Sequence, residues 1–161
     1  MFSDNSLREY NWSGANNTLA RYVAGYQLAQ EVRRIRSVNP AEPINIVAHS
    51  HGGNVALIAT KFGAKIDNLV TLGTPARMLG HKPNVSNIDN WYNAYSPQDM
   101  VQVSGGGSAT FGYQEVGPAG RTFSGAVNIS VQSTRGPIGA HSDLTGAIGA
   151  NAVRSAMRPL K

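Results

Sequence analysis

The chain contains no cysteine. That absence excludes disulfides, thiolate nucleophiles and Cys-based zinc sites together. It also lacks any apolar run near the roughly 18–20 residues that a membrane span needs, so no stable membrane insertion is expected. The opening Met1-Phe2-Ser3-Asp4-Asn5 has no basic region leading into an apolar stretch. The expected location is therefore cytoplasmic, or outside the cell by a route without a cleaved signal, and release from a larger protein stays open. Four histidines (His49, His51, His81 and His141) and scattered carboxylates show no metal-ligand spacing, and no glycine-rich phosphate loop is present. Neither a metal nor an organic cofactor is expected. The net charge of +5 would favour anionic surfaces, but the charges are dispersed and only Arg33-Arg34-Ile35-Arg36 clusters. That cluster reads as the solvated face of a helix near its C-terminus, where cations suit the helix dipole, and no nucleic-acid partner is expected.

What is present suits one domain over residues 1–161, since 161 residues can bury a core and are too few for two comfortable ones. Leu7 to Trp12 is a short strand candidate ending at the Ser13-Gly14 turn. Ala15 to Ser37 then reads as a helix, with Arg21, Ala24, Gly25, Leu28, Val32 and Ile35 along one stripe. Asn39-Pro40 and Pro43 end it. Ile44–Ala48 is an apolar strand, Asn54–Phe62 a helix closed by Gly63, and Asn68–Leu72 another strand. Ile88–Tyr95 is a further strand, and Ser142 or Asp143 would cap a last helix from Leu144 to about Arg158. The glycine-rich stretch from Gly105 to Gly149 should be rich in turns, interrupted by strand-like pairs among Phe111, Tyr113, Phe123, Val127, Ile129 and Val131. Alternating strands and helices imply an α/β fold with a mainly parallel sheet and helices on both faces. Sites in such sheets gather where strands end.

Ala48-His49-Ser50-His51-Gly52 follows the G-x-S-x-G pattern with Ala in the first position. An apolar strand precedes it and a helix follows. A serine hydroxyl is a weak nucleophile and must stand clear of the sheet beside a base, which a sharp strand-to-helix turn achieves when its flanking residues are small. The helix N-terminus contributes a positive dipole end, and the His51 backbone N–H is a natural oxyanion donor.

The stretch Ala48-His49-Ser50-His51-Gly52-Gly53 resembles the nucleophile elbow of bacterial lipases. With Asn11-Trp12-Ser13-Gly14-Ala15-Asn16, Arg21 and Leu72-Gly73-Thr74-Pro75, it is similar to lipase-like α/β-hydrolases that include domains of bacterial toxin and effector proteins. The resemblance covers most of the chain, is strongest at the elbow and weakens after Gly105. It implies a reduced α/β-hydrolase fold and a Ser–acid–His order along the chain. Asp99, just past the Ile88–Tyr95 strand, stands where the acid belongs, whereas Asp67 and Asp89 lie at the wrong ends of strands. Asp143 reads as a helix cap. His141, in a loop before the last helix, is the expected base. His49 and His51 should point away from Ser50, and His81 precedes the acid.

Arg21 sits near the same rim and is read with Trp12, Ser13 and Gly14 as a substrate-contacting group, or as the tie that holds that loop. Trp12 and Trp91, with Tyr92 and Phe111, would line an acyl pocket or belong to the core. If Leu7–Trp12 is the strand before the elbow unit, the usual earlier strand with the second oxyanion donor is missing. A backbone N–H near Ser13-Gly14, or a partner subunit, would then supply it. An unpaired sheet edge would favour a homo-oligomer. The expected activity is hydrolysis of a small-molecule or lipid carboxylic ester through an acyl-enzyme. The short Arg77–Asn87 segment offers no clear lid, which favours accessible esters. Acyl transfer or thioester cleavage by the same triad is an alternative, as is a non-catalytic interaction module of a toxin-like protein.

Overall fold

Helix α1 (Thr18–Val38) starts at Asn17, whose side-chain oxygen accepts the Ala20 N–H at 2.8 Å and so satisfies a donor that the first turn leaves open. The computed structural model describes residues 7–77, 82–105, 108–110, 113–115 and 118–157. Along α1 the expected stripe is buried from Arg21 through Ala24, Gly25 and Leu28 to Val32, with Ala29 beside it and Ile35 half-buried. Gly25 is required for close helix packing: a Cβ there would lie 2.5 Å from Ile58 Cγ2.

Strand β1 (Asn45–His49) leads through Ser50 into α2 (His51–Lys61), which Phe62 and the left-handed Gly63 (φ 85°) close. β2 (Ile66–Leu72) follows, then a short 3-10 turn at Val85–Asn87, β3 (Ile88–Tyr95) and α3 (Met100–Ser104). A small antiparallel hairpin, β4 (Ser108–Thr110) with β5 (Tyr113–Glu115), precedes β6 (Val127–Ser130). The chain continues as α4 (Gly136–Asp143) and α5 (Ala147–Ala156).

The main sheet runs β1-β2-β3-β6, every neighbouring pair parallel. Strand alternation sends Leu69 and Trp91 to one face, against Ala24, Leu28, Val55 and Ala59 of α1 and α2. Val70 and Tyr92 go to the other, against Leu144 and Val153. This is an α/β fold with a parallel sheet between helices, as expected, and its arrangement is consistent with a reduced α/β-hydrolase. The parallel order brings the ends of β1, β2 and β3 to one rim.

Three local expectations change. Leu7–Trp12 is not a strand. Its side chains anchor it instead: the Tyr10 hydroxyl donates to Ala24 O at 2.7 Å and Trp12 packs on the α1–α2 core, which leaves the backbone irregular. Among the described residues β1 is thus an edge strand, with Val47 47% exposed.

The last helix, α5, starts later than expected, and a further helix, α4, occupies the segment read as a loop before it. The N–H groups of Thr145 and Gly146 turn back onto Ser142 O and Asp143 O, and Gly146, extended, starts α5. His141 therefore stands on a helix and not in a loop, and Asp143 caps nothing. Arg158, the expected end, lies outside the described residues, as do His81, Phe111 and residues 78–81 of the short segment between Arg77 and Asn87.

Trp91 and Tyr92 are both core residues on opposite faces of β3, so they do not line one pocket. Trp91 is further fixed by its Nε1–H, which donates to Thr71 Oγ1 at 3.1 Å.

Candidate active site

Ser50 is, among the described residues, the one non-glycine residue with positive φ (52°, with ψ −130°). Such a conformation costs on the order of 1–3 kcal/mol and persists only where its surroundings enforce it. Here the Ser50 N–H donates to Leu72 O at 2.8 Å, keeping the residue in the sheet, while Gly53 N–H donates to Ser50 O at 3.1 Å, starting the helix. One residue is thus held by two elements of different twist. Its hydroxyl makes no capping bond to α2. Gly53 is dictated by packing, since a Cβ there would fall 1.9 Å from Thr74 Oγ1.

His49 pairs in register with Leu72, so the next step sets Ser50 beside Gly73. Gly73 (φ 56°) turns the chain away after β2 and leaves room above itself. A Cβ on it would meet His141 Nδ1 at 3.0 Å, His141 Cε1 at 3.1 Å and Leu144 Cδ1 at 3.1 Å. The His141 imidazole therefore rests on the backbone immediately beside Ser50.

Asp99 completes the arrangement. It is fully buried after β3, its Oδ1 accepts the Gln102 N–H at 2.8 Å as the cap of α3, and its Oδ2 accepts from His141 Nδ1 at 2.7 Å. With Nδ1 donating to the carboxylate, the neutral ring keeps its lone pair on Nε2. Asp67, which the sequence placed at the wrong end, is indeed at the opposite end of β2, paired with Arg36 and accepting the Ile44 N–H.

The surroundings hold both partners. Gln98 and Ser133 exchange two bonds of 3.0 Å, tying the Asp99 turn to the segment before α4. Ser133 Oγ donates to Asp143 Oδ2 at 2.5 Å and Arg135 pairs with the other oxygen, which anchors α4 at the turn carrying His141. The Ser133 hydroxyl first, then Arg135, holds the Asp143 carboxyl below the usual carboxylate range. Gln102 Nε2 donates to Thr74 O at 2.7 Å and links the acid turn to the loop after β2. None of these bonds has a sequence signature, because each depends on two loops meeting.

The His49 ring packs on that of His141, with centroids 4.4 Å apart, a contact that the sequence reading did not include. Its Nε2 lies 3.3 Å from the His141 carbonyl oxygen. Burial first, and the charge of His141 second, pull its imidazole below the ordinary value. Strand alternation was the available signal: Ile46 and Ala48 join the α1–α2 core, so His49 faces the side of the sheet where α4 lies.

His51, the first residue of α2, packs against Gly105. Arg21 is fully buried and donates to Asn16 Oδ1 at 3.0 Å, an oxygen that also accepts from Arg77 at 3.2 Å. Arg77 in turn donates to Gly105 O. Arg21 thereby holds Asn16 in the loop before α1, and Arg77 links that same oxygen to Gly105 near His51. Gly14 turns that loop with φ 68°, and Ser13 Oγ accepts the Ala15 N–H at 3.4 Å.

The parallel α/β sheet thus carries a strained serine between strand and helix, and a buried His–Asp pair seated on Gly73. Residues 11–111, more than half of the chain, match the T6SS Tle3 phospholipase effector domain, and the chain belongs to that family. Its activity class is accordingly lipid-ester hydrolysis. The match spans the positions of Ser50 and Asp99 and stops before His141, which its bond to Asp99 joins to them. No curated protein matches the sequence. Among the described residues no helix is long and apolar enough to cross a membrane.

Proposed function

We propose that the chain hydrolyses a carboxylic ester bond of a phospholipid through a Ser50–His141–Asp99 triad and an acyl-enzyme. Ser50 Oγ attacks the ester carbonyl while His141 Nε2 takes its proton. The tetrahedral oxyanion is met by the His51 backbone N–H at the start of α2, where helix geometry directs amides outward. His141 passes the proton to the departing alcohol, leaving the acyl group on Ser50. Water then attacks that ester with His141 again as base, and the proton returns to Ser50 as the fatty acid leaves. Asp99 keeps the base oriented and stabilises the imidazolium.

The loop of Trp12, Ser13 and Gly14, held by Arg21, is proposed as the substrate-contacting rim and as the place of the second oxyanion donor. Loss of one such donor typically costs about 100–1,000-fold in rate.

The observation that carries this reading is the positive φ of Ser50: strain at a serine, beside a glycine that seats a carboxylate-bound histidine, has no structural use in a helix start. A fluorophosphonate probe should label Ser50, and Ser50→Ala should abolish both labelling and release of fatty acid from phospholipid vesicles while the fold persists. Undiminished hydrolysis by that variant would sink the mechanism. Labelling without any fatty acid release would move the chain to acyl transfer.

A further inference from the structure

His49 touches both halves of His141: ring against ring, with planes inclined at 46°, and Nε2 against the backbone carbonyl oxygen. A carbonyl oxygen only accepts, so His49 Nε2 carries the hydrogen and donates it. That bond fixes the His49 tautomer. It also satisfies one of the last carbonyls of α4, which have no donor within the helix. An eight-residue helix is too short to hold its own shape and α4 has no side-chain cap at its start, so beside the Arg135–Asp143 pair its final turn depends on such outside contacts.

His141 is consequently bounded on three sides. Asp99 holds Nδ1, the Gly73 backbone lies against Nδ1 and Cε1, and His49 covers a face of the ring and secures the backbone from which it hangs. Asp99 alone fixes a direction at one nitrogen and leaves rotation about that bond. The His49 bond to the His141 carbonyl removes that rotation by holding the backbone from which the imidazole hangs, and the ring contact adds to it.

We infer that His49 is a positioning residue for the His141 base, setting the plane of its imidazole so that Nε2 meets the serine hydroxyl. The inference rests on the triad reading above. The groups acting on His49 are His141 from α4 and Asp99 from the turn after β3. Burial first, and the charge of His141 second, disfavour the charged form of His49.

The test uses the whole chain with His49→Phe, which keeps a ring and loses the donor, and His49→Gln, which keeps a donor and loses the ring. Hydrolysis of a soluble nitrophenyl ester should lose roughly 10–100-fold in kcat for His49→Phe, the scale of a small misplacement of a reacting group, with KM nearly unchanged. His49→Gln should recover part of that loss and carries the test alone if the phenylalanine variant does not fold. In proton NMR of the resting protein, the downfield Nδ1–H signal of the His141–Asp99 bond should broaden in His49→Phe. A merely structural His49 would lower thermal stability while leaving kcat and that signal in place; this result in both variants overturns the inference. If the parent labels at Ser50 and Ser50→Ala is dead, such a result overturns the positioning role alone. If Ser50→Ala stays active, the triad and the role of His49 fall together.

Discussion

The Nδ1–H of His141 donates to Asp99 Oδ2 across 2.7 Å, joining residues 42 positions apart in a pocket where Asp99 has no exposure. The same carboxylate caps α3 through its other oxygen, so each oxygen has a separate duty: one starts a helix and the other orients an imidazole. A side chain shared in this way couples the orientation of the imidazole to the stability of the turn.

Asp99→Asn separates the two duties. The amide oxygen still accepts the Gln102 N–H, but its NH2 faces His141 and favours the tautomer whose Nε2 bears hydrogen. Under the proposed mechanism kcat should fall roughly 1,000- to 10,000-fold with the fold intact. Asp99→Ala should lose the cap as well, lowering stability by about 1 kcal/mol further. Steady-state kinetics beside urea unfolding distinguishes the two effects, and an Asp99→Asn variant of normal kcat would remove Asp99 from the triad.

Gly73→Ala tests the seat of the His141 imidazole. A φ of 56° costs an alanine roughly 1–2 kcal/mol. The new methyl would also stand 3.0 Å from His141 Nδ1 and press against Leu144. Activity should therefore fall further than stability alone explains, measured as kcat at a temperature well below the transition. Equal kcat in parent and variant would show that the ring does not rest on this glycine.

Acid should weaken the fold in two stages. His49 is held below the ordinary imidazole value, so the unfolded chain binds a proton that the folded chain does not. Its contribution is complete above about pH 6.5 and declines as pH falls below that. Asp143 is held below the usual carboxylate value, so its contribution is complete above about pH 3.9 and is lost as pH falls through its folded value. Urea midpoints from pH 8 to pH 3 should show both declines. His49→Phe should flatten the first and Asp143→Asn the second; an unchanged first stage in His49→Phe would assign it to another group.

Much of the candidate site was legible because its pieces are local. The turn at Ser50 is set by an apolar strand, a serine, two glycines and a helix within about a dozen residues, and the order of serine, acid and histidine is read along the chain. The strand Ile88–Tyr95 and the buried stripe of α1 were equally plain, since each rests on periodicity within one element. Leu7–Trp12, bounded by the Ser13-Gly14 turn, reads as a strand, whereas strand formation needs a neighbour, and this segment instead spends its side chains on α1.

The sequence alone determined that Ser50 stands strained between a strand and a helix, because backbone chemistry over a few residues sufficed to say so. Only the tertiary structure decided what surrounds it. His141 lies on a helix above Gly73, Asp99 answers it from another turn, and His49 closes over the ring. Those relationships come from the parallel stacking of β1, β2 and β3, which brings distant segments to one rim. No spacing along the chain encodes the few ångströms between rings that meet through the packing of a sheet against α4.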